Sequence, residues 1–310
     1  MKAYALNEAG AQPGHRDLET PEPSPGEVRV RVRAASVNGF DLAVAAGYMG
    51  GFFEHRYPVV LGREFAGVVD ALGDGVADVQ VGDRVFGVVS KPYLAEGAFA
   101  TYTTVEAGSC LAHTPHSMTD AAAAGLGHTG STASVILEAL GDVAGKTLLI
   151  VGATGGVGTL LTQLAAAEGA RIIATGRTEQ GRGLLTELGA THVVDYTDLA
   201  PAVRAVAPDG VDAAVHLAGD ADRIAPLVKD GGVLASALLY APEAFPDAER
   251  LTPAPIAGYP SGAGLRGLAD KVDEGRLRVI IDSEHEFDQI YEAFAQYGHQ
   301  TLGNIIVRIG

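Results

Sequence analysis

The sequence predicts an α/β protein that consists of a β-rich, barrel-like domain and a doubly wound parallel sheet with helices. Two observations support this fold class. Residues 1–110 contain short alternating or apolar runs, such as 28–32, 65–69 and 84–89, separated by Gly, Pro and Asp. From Thr119 onwards the pattern changes to an Ala-rich helical stretch and then to alternating strands and helices, which is typical of a parallel sheet.

The apolar runs of the second domain define its expected elements in chain order. Strands are predicted at 147–151, 171–175, 192–195, 212–217 and 233–238. Helices are expected to start near Gly156, Gln180 and Asp222. Each interval between strands is long enough for a right-handed crossover, so the strands are expected to run parallel.

The last 35 residues return to a β-like pattern. Strands are predicted at 278–281 and 304–309, with a helix at 287–297 between them. We expect this tail to rejoin the first domain. The predicted organisation is therefore a catalytic domain made of 1–117 and 276–310, and a cofactor-binding domain made of 118–275.

Composition restricts the partners of the protein. The chain has 310 residues, 47% of them hydrophobic, and 22 Lys and Arg against 38 Asp and Glu give a net charge of -16. This charge repels nucleic acid. No stretch approaches the roughly 20 apolar residues of a membrane-spanning helix, and the N-terminus has no export signal. Cys110 is the single cysteine, which excludes an internal disulfide and a multi-cysteine metal cage. We expect a cytoplasmic protein without nucleic acid or membrane partners.

A glycine-rich turn follows the predicted strand 147–151 and precedes a predicted helix. This order of strand, turn and helix is what dinucleotide binding requires, because the glycines let the backbone approach a pyrophosphate and the helix N-terminus stabilises its charge. The expected contacts are Thr154, Gly155, Gly156 and Val157. A merely structural turn is the alternative. The tripeptide 145–147, Gly-Lys-Thr, is no triphosphate loop, because the strand follows it instead of preceding it.

The end of the second strand of this domain indicates which dinucleotide binds. An NAD-binding site commonly carries an acidic residue there, whereas this chain has Gly176 and Arg177. A guanidinium at Arg177 suits the 2′-phosphate of NADPH. The alternative is a solvated surface arginine, and Arg182 is a second candidate for the phosphate contact.

The usual devices for oxidising an alcohol are not visible. No lysine follows a tyrosine at the spacing of a Tyr-x-x-x-Lys pair. His113 and His116 are the only close histidine pair, and no carboxylate accompanies them locally, so the sequence predicts no metal site. Reduction of a quinone, or of an alkene beside a carbonyl, makes weaker demands, since hydrogen bonds and water can supply the proton.

Several spaced blocks resemble the medium-chain dehydrogenase/reductase superfamily. They lie at 58–69, 81–85, 153–158, 188–196 and 274–278, and the first of them reads Pro-Val-Val-Leu-Gly-Arg-Glu-Phe-Ala-Gly-Val-Val. Zinc alcohol dehydrogenases of this superfamily place a cysteine where this sequence has Asn38 and a histidine where it has Arg63. The chain is therefore similar to the zinc-independent quinone oxidoreductases, the zeta-crystallin-like branch. That resemblance implies a GroES-like catalytic domain, a Rossmann domain, NADPH and a homodimer.

The resemblance also implies site residues. Asn38 and Asp41 match positions that line the nicotinamide cleft, Thr129 matches a position near the nicotinamide, and Tyr48 matches a tyrosine at the cleft mouth. A packing tyrosine at a strand edge is the other interpretation of Tyr48. The implied cofactor contacts in the rest of the chain are Tyr196 on the adenosine and Leu217, Ala218, Leu238 and Asn304 near the nicotinamide.

Four positions depart from, or add to, the pattern of the branch. Gly39 replaces a proline and His216 replaces an acidic residue. His128 is unusual beside Thr129, where it is either a proton donor or a histidine satisfied by its surroundings. Arg63 either brings positive charge to an oxyanion or forms an internal ion pair with Glu64 or Asp41.

Together these features predict an NADPH-dependent, zinc-independent reductase that passes hydride to a small quinone or α,β-unsaturated carbonyl compound. Two alternatives stay open. One is a non-catalytic NADPH-binding sensor or structural protein, because this kind of fold can keep a cofactor without turnover. The other is a zinc-type alcohol dehydrogenase with atypical ligands.

Overall fold

In the computed structural model, which describes residues 1–310, the chain divides into two units. Unit 1 consists of Met1–Ser131, Tyr259–Gly275 and Val279–Gly310, and unit 2 of Thr132–Gly258 and Arg276–Arg278. These limits differ from the sequence-based boundaries after residues 117 and 275. The helix at Gly262–Asp273 packs on strand Leu111–His113 of unit 1, which the sequence pattern does not reveal.

Short strands dominate the first part of the chain. They are β1 (Lys2–Leu6), β2 (Gly14–Asp17), β3 (Glu27–Val37), β4 (Glu54–His55), β5 (Val59–Val60), β6 (Glu64–Leu72), β7 (Arg84–Val88), β8 (Tyr93–Leu94), β9 (Tyr102–Glu106) and β10 (Leu111–His113). The helices are α1 (Gly39–Ala45), α2 (Ala107–Cys110), α3 (Asp120–Ala123) and α4 (Gly127–Leu140). In β3 the valines at 28, 30 and 32 are buried, as the alternating pattern predicts.

The continuous helix expected from Thr119 to Leu140 is in fact two helices, α3 and α4. Two glycines lie at the break. A Cβ on Gly125 would lie 2.9 Å from Cγ of Asn304, and one on Gly127 would lie 2.5 Å from the carbonyl oxygen of Gly87. The break therefore lets this segment approach the neighbouring strands closely.

Unit 2 contains a six-stranded sheet in which every pair is parallel. Its strands are β11 (Thr147–Val151), β12 (Arg171–Thr175), β13 (His192–Val194), β14 (Val211–His216), β15 (Val228–Ser236) and β16 (Thr252–Pro255). Its helices are α5 (Gly156–Ala167), α6 (Glu179–Glu187), α7 (Leu199–Val206) and α8 (Ala221–Ile224). The order β13-β12-β11-β14-β15-β16 confirms the predicted doubly wound sheet and puts its switch point between β11 and β14.

The tail completes unit 1 with α9 (Gly262–Asp273), β17 (Ile281–Glu286), α10 (Ile290–Gln296) and β18 (Asn304–Arg308). Strand β18 pairs with β3, so the predicted return to the first domain is confirmed. The main sheet runs β10-β7-β6-β3-β18-β17, and β9 also pairs with β3. The strand expected at 278–281 lies instead at Ile281–Glu286.

Each unit has its own apolar core. In unit 1 it lies around Phe65 and Phe99, and in unit 2 around Leu149 and Leu234. No helix in the structure has the length and apolar character needed to cross a lipid bilayer.

Candidate functional site

The turn after β11 has a backbone that only glycine can supply. Gly152 has φ +90°, and a Cβ there would lie 3.0 Å from Cβ of Leu217. A Cβ on Gly158 would lie 2.4 Å from the carbonyl oxygen of Gly152. The glycines therefore allow strand β11, the turn and helix α5 to pack closely.

Helix α5 begins directly after this turn, with Gly155 as its N-cap. No side chain caps the helix, and its first turn carries no acidic residue. The N–H groups of Gly156 and Val157 belong to that first turn, where a helix has no internal acceptor for them. Beside them, Thr154 is partly buried, and a Cβ on Gly155 would meet only Gly152 O, at 3.6 Å. This end of the helix can therefore receive a negatively charged group.

The end of β12 lies next to the glycine turn. The amide of Gly152 donates a hydrogen bond to Oγ1 of Thr175, at 3.0 Å. Gly176 follows, and its amide donates to the carbonyl oxygen of Val194 at 3.0 Å. Arg177 comes next and is exposed. The predicted phosphate contacts at 176 and 177 are thus tied to the turn through Thr175.

The second arginine candidate is already engaged. A guanidinium nitrogen of Arg182 lies 3.3 Å from Oδ2 of Asp195. The backbone and hydroxyl of Thr197, helped by the charges of Arg182 and Arg177, hold the pKa of Asp195 below its usual range. Of the two predicted candidates, Arg182 is therefore the one already paired with a carboxylate.

Tyr196 lies at the end of β13 with its ring held on two sides. Its hydroxyl accepts a hydrogen bond from the amide of Asp220 at 2.7 Å, and the guanidinium of Arg223 lies 4.4 Å from the ring centroid. Gly219 approaches the ring so closely that a Cβ there would lie 2.5 Å from it. Tyr196 thus anchors the loop after β14.

His216 at the end of β14 is a structural histidine. Its Nε2 lies 3.2 Å from the carbonyl oxygen of Gly219, which can only accept, so Nε2 carries the hydrogen. Its Nδ1 then accepts from the hydroxyl of Ser236 at 3.0 Å. Ser236 Oγ also accepts hydrogen bonds from the backbone amides of Leu238 and Leu239, at 3.0 Å each.

The remaining predicted contacts of unit 2 lie at the ends of β14 and β15. Leu217 donates its amide to the carbonyl oxygen of Val151 and, with Ala218, borders Gly152. Leu238 is 46% exposed, with its backbone fixed by Ser236. The predicted residues Leu217 and Ala218 thus adjoin the glycine turn.

In unit 1, Asn38 and Asp41 belong to the start of α1. Oδ2 of Asp41 accepts the amide of Asn38 at 2.8 Å, and Asn38 is the N-cap of the helix. Asp41 is buried, and burial raises its pKa to about 7 against the opposing effects of the Asn38 amide and the Arg63 charge. This bond holds the backbone of Asn38 at the start of α1.

Thr129 connects three other polar side chains of unit 1. Its hydroxyl lies 2.8 Å from Oε2 of Glu64, 3.3 Å from Oδ1 of Asn38 and 3.4 Å from Oδ1 of Asn304. All four residues are buried. Predicted residues from three distant segments, Asn38, Thr129 and Asn304, therefore meet in one cluster.

Glu64 belongs to this cluster, although the sequence singled it out only as a neighbour of Arg63. It accepts hydrogen bonds from Nδ2 of Asn38 at 3.0 Å and from the amide of Thr129 at 3.4 Å. Burial raises its pKa to about 8, which outweighs the stabilising hydrogen bonds from Asn38 and Thr129. In the sequence, Glu64 stands beside Arg63 between the apolar runs 59–61 and 65–69, a position that does not show which groups it contacts.

Arg63 and His128 both lie against the ring of Phe40. The guanidinium carbon of Arg63 lies 4.1 Å from the Phe40 centroid, and the His128 ring meets Phe40 edge-on at 6.4 Å. Burial, together with the charge of Arg63, lowers the pKa of His128 to about 3. His128 is neutral at pH 7, which argues against the proton-donor interpretation. Burial also lowers the pKa of Arg63, and the negative charge of Asp41 opposes this effect. The side chains of Arg63 and Asp41 form no hydrogen bond with each other.

Tyr48 does not join this cluster. It follows α1 in a turn, and its side chain is 75% exposed. The interpretation of Tyr48 as a packing tyrosine at a strand edge is therefore wrong. The histidine pair is equally separate, since His113 binds Asp83 at 3.0 Å, and no group of three or more His, Cys, Asp or Glu side chains is arranged to hold a metal ion.

Two domain families match the chain. Residues 24–116 match the alcohol dehydrogenase GroES-like domain, and residues 156–247 match the zinc-binding dehydrogenase family. The chain is 41% identical over 174 residues to a mycocerosic acid synthase-like polyketide synthase of Mycobacterium tuberculosis. That match covers 56% of this chain but only 8% of the synthase.

Other relatives match along nearly the whole chain. A 2-methylene-furan-3-one reductase of Solanum lycopersicum is 29% identical over 99% of this chain and 79% of its own length. A chloroplast envelope quinone oxidoreductase homologue of Arabidopsis thaliana is 28% identical over 98% of this chain and 96% of its own.

Solved structures show the same fold. The quinone oxidoreductase from Coxiella burnetii superposes with a TM-score of 0.89 at 23% identity, covering 100% of this chain and 99% of its own. A mycobacterial protein in complex with NADPH superposes with a TM-score of 0.84 at 26% identity, covering 99% and 100%.

Proposed function

The chain belongs to the medium-chain dehydrogenase/reductase superfamily, in its quinone oxidoreductase branch, and we propose that it is a zinc-independent, NADPH-dependent reductase of a quinone or an α,β-unsaturated carbonyl compound. One observation carries this proposal. The glycine turn opens helix α5 beside the end of β12, where the exposed Arg177 follows Thr175 without an intervening carboxylate.

The residues of unit 2 fit a dinucleotide. The space at the N-terminus of α5 is open, because a Cβ on Gly155 would meet nothing closer than 3.6 Å. We assign the pyrophosphate to the amides of Gly156 and Val157 and to the hydroxyl of Thr154. Gly155 would border it, because its own amide already donates to the carbonyl oxygen of Gly152 at 3.2 Å. When bound, NADPH supplies the hydride. The solved relative that holds NADPH supports this choice of cofactor.

Arg177 is the residue that would distinguish NADPH from NADH. Its planar guanidinium can pair with a 2′-phosphate, whereas Arg182 already binds Asp195. Gly176 packs against Val193 and Leu185 directly before Arg177, and we propose it as a neighbouring cofactor contact. The remaining cofactor contacts that we propose are Tyr196, Leu217, Ala218, Leu238 and, in unit 1, Asn304.

The polar cluster of unit 1 would bind the acceptor. The hydroxyl of Thr129 would donate to the carbonyl oxygen on which negative charge develops as hydride arrives. Asn38 would line the site beside it, with its amide nitrogen bound to Glu64 and to the carbonyl oxygen of Ser36. Asp41 keeps Asn38 in place through the cap of α1. Tyr48 is exposed enough to contact a substrate. Holding donor and acceptor carbons together can itself supply several kcal/mol of the rate enhancement, roughly 7–11 at best.

Zinc independence is supported by the residues that occupy the positions of the zinc ligands in related dehydrogenases. Asn38 uses its amide nitrogen for Glu64 and for the carbonyl oxygen of Ser36. Arg63 carries a positive charge that repels a cation. Neither side chain is a zinc ligand of the kinds proteins use.

Two relatives indicate which acceptors to test. The compound named in the tomato reductase carries a methylene group conjugated with a ketone. Polyketide chains grow as acyl thioesters, so an enoyl thioester is a further member of the same acceptor class. On the resemblance of the sequence we also propose a homodimer in the cytoplasm, and light scattering on the purified protein tests the dimer.

The proposal is tested by anaerobic oxidation of NADPH with a panel of quinones, enones, an enoyl thioester and simple aldehydes, with NADH in parallel. We expect turnover with at least one quinone or conjugated carbonyl and a strong preference for NADPH. Tight NADPH binding without oxidation by any acceptor would favour the sensor alternative. Alcohol oxidation that depends on bound zinc would favour the dehydrogenase alternative.

A further inference from the structure

Three acceptor oxygens surround the hydroxyl of Thr129. They are Oε2 of Glu64 at 2.8 Å, Oδ1 of Asn38 at 3.3 Å and Oδ1 of Asn304 at 3.4 Å. A threonine hydroxyl has one hydrogen and can donate it to only one of them. The other two oxygens therefore face the Thr129 hydroxyl without receiving its hydrogen.

The orientation of both amides is fixed by backbone carbonyls. Nδ2 of Asn38 donates to the carbonyl oxygen of Ser36 at 3.2 Å as well as to Glu64, and Nδ2 of Asn304 donates to that of Ile280 at 3.1 Å. Their oxygens must therefore be the atoms that face Thr129. An amide flip cannot supply a second donor without breaking these bonds.

A proton on Glu64 improves the hydrogen bonding of this cluster. The carboxyl group then donates to Oγ1 of Thr129, and the Thr129 hydroxyl is free to donate to an amide oxygen. If Glu64 is ionised, the Thr129 hydroxyl donates its single hydrogen to the carboxylate. Neither Oδ1 of Asn38 nor Oδ1 of Asn304 then receives a hydrogen bond from Thr129. Since unpaired buried polar atoms are costly, the geometry favours the protonated carboxyl.

We propose that Glu64 is a positioning residue that stores the proton of the reductive step and passes it to the substrate oxygen through the hydroxyl of Thr129. This inference rests on the proposed function. NADPH, when bound, would supply the hydride of the new C–H bond, and the electron pair of the reduced double bond would move to the carbonyl oxygen. Thr129 gives its hydroxyl proton to that oxygen and takes the proton of Glu64. The Glu64 carboxylate regains a proton from water after the enol or hydroquinone leaves.

The groups around Glu64 agree with a neutral carboxyl. Burial raises its pKa to about 8, and the negative charge of Asp41 acts in the same direction. Arg63, the preceding residue, is the nearby positive charge, and Asp41, Tyr259 and Cys110 act on it electrostatically. His128 on α4 is neutral, and burial raises the pKa of Tyr297, which lies beside Gly39.

The test is the pH dependence of kcat for the wild type, Glu64→Gln, Thr129→Val and Thr129→Ser. In the wild type kcat should fall as the pH rises through about 8, because Glu64 loses its proton. Glu64→Gln and Thr129→Val should lower kcat by about 10²-fold, as loss of a proton donor does, and should show no such fall. Thr129→Ser keeps a hydroxyl and should retain the fall. The solvent deuterium isotope effect on kcat should also be absent in Glu64→Gln and Thr129→Val.

Persistence of both the fall and the isotope effect in Glu64→Gln or Thr129→Val would overturn the inference. A readout that needs no turnover is the infrared difference spectrum between the wild type and Glu64→Gln at pH 7. It should show the carbonyl stretch of a protonated carboxyl, and an ionised carboxylate there would also overturn the inference. If no acceptor oxidises NADPH, the proposed function fails, whereas this spectrum still decides the state of Glu64.

Discussion

Thr175 Oγ1 accepts the amide hydrogen of Gly152 at 3.0 Å, so the end of β12 is fastened to the glycine turn after β11. Gly152 needs its positive φ, and Thr175 is buried. This bond adds to the parallel pairing of β11 with β12 and links the open start of α5 to the segment that carries the exposed Arg177. We propose that cofactor binding and cofactor choice both depend on these carboxyl ends of the two strands.

Replacing Arg177 by alanine should reduce affinity for NADPH by about 10–150-fold, since a hydrogen bond to a charged group contributes about 1.5–3 kcal/mol. Affinity for NADH should stay within about twofold, because NADH lacks the 2′-phosphate. Fluorescence titration with both cofactors measures this. The matched control is Arg182→Ala, which removes an arginine already bound to Asp195 and should have a smaller effect. Equal losses for both cofactors in Arg177→Ala would refute the assignment.

Two glycine variants separate binding from folding. Gly155→Ala adds a methyl group at the open start of α5, where its nearest neighbour is 3.6 Å away. It should weaken NADPH binding by about tenfold or more, while stability changes by less than about 1 kcal/mol.

Gly158→Ala is the counterpart. Its methyl group would lie 2.4 Å from the carbonyl oxygen of Gly152 and 2.6 Å from Cα of Ala153. The backbone must shift to accommodate it, and we expect a loss of about 2–3 kcal/mol. Urea unfolding of the free proteins compares the two variants. Unchanged NADPH affinity in Gly155→Ala would place the pyrophosphate elsewhere.

Glu64 should make the stability of the protein depend on pH. Its pKa is about 8 in the folded chain and lies near its ordinary value of 4.5 when unfolded. The folded state therefore holds more protons between these values, and stability should fall as pH rises from about 4.5 to 8, by up to about 1.4 kcal/mol per pH unit.

Glu64→Gln removes this dependence, while Asp41 contributes in the same direction in both proteins. The stability of Glu64→Gln relative to the wild type should therefore increase with pH, as measured by urea unfolding at pH 5 and pH 8. A relative stability that stays constant or decreases over this interval would show that Glu64 is ionised in the folded protein.

Local patterns predicted much of the fold and the cofactor turn. The strand 147–151 and the helix start at Gly156 are found as expected, because a buried strand, a glycine turn and a helix leave a continuous signal. Strand β17 was misplaced for the opposite reason. It lies at the edge of its sheet, and Asp282, Glu284 and Glu286 give it no apolar run.

The cluster in unit 1 shows what one sequence leaves out. The family resemblance suggested Asn38, Thr129 and Asn304 separately, and the structure brings their side chains together. Their role in catalysis stays a prediction. Glu64 was missed because its partners come from segments far along the chain, and no local pattern distinguishes a hydrogen-bonded buried carboxylate from an exposed one.

The central claim is that the protein transfers a hydride from NADPH to a carbon atom of a conjugated acceptor. Mass spectrometry of the product formed anaerobically from an enone and NADPH deuterated at C4 of the nicotinamide tests this directly. When the deuterium is on the face of the nicotinamide ring from which the hydride leaves, the product should carry one deuterium on the carbon β to its carbonyl group. A product without deuterium from either face of the cofactor, or NADPH oxidation that occurs only with oxygen, would contradict the claim.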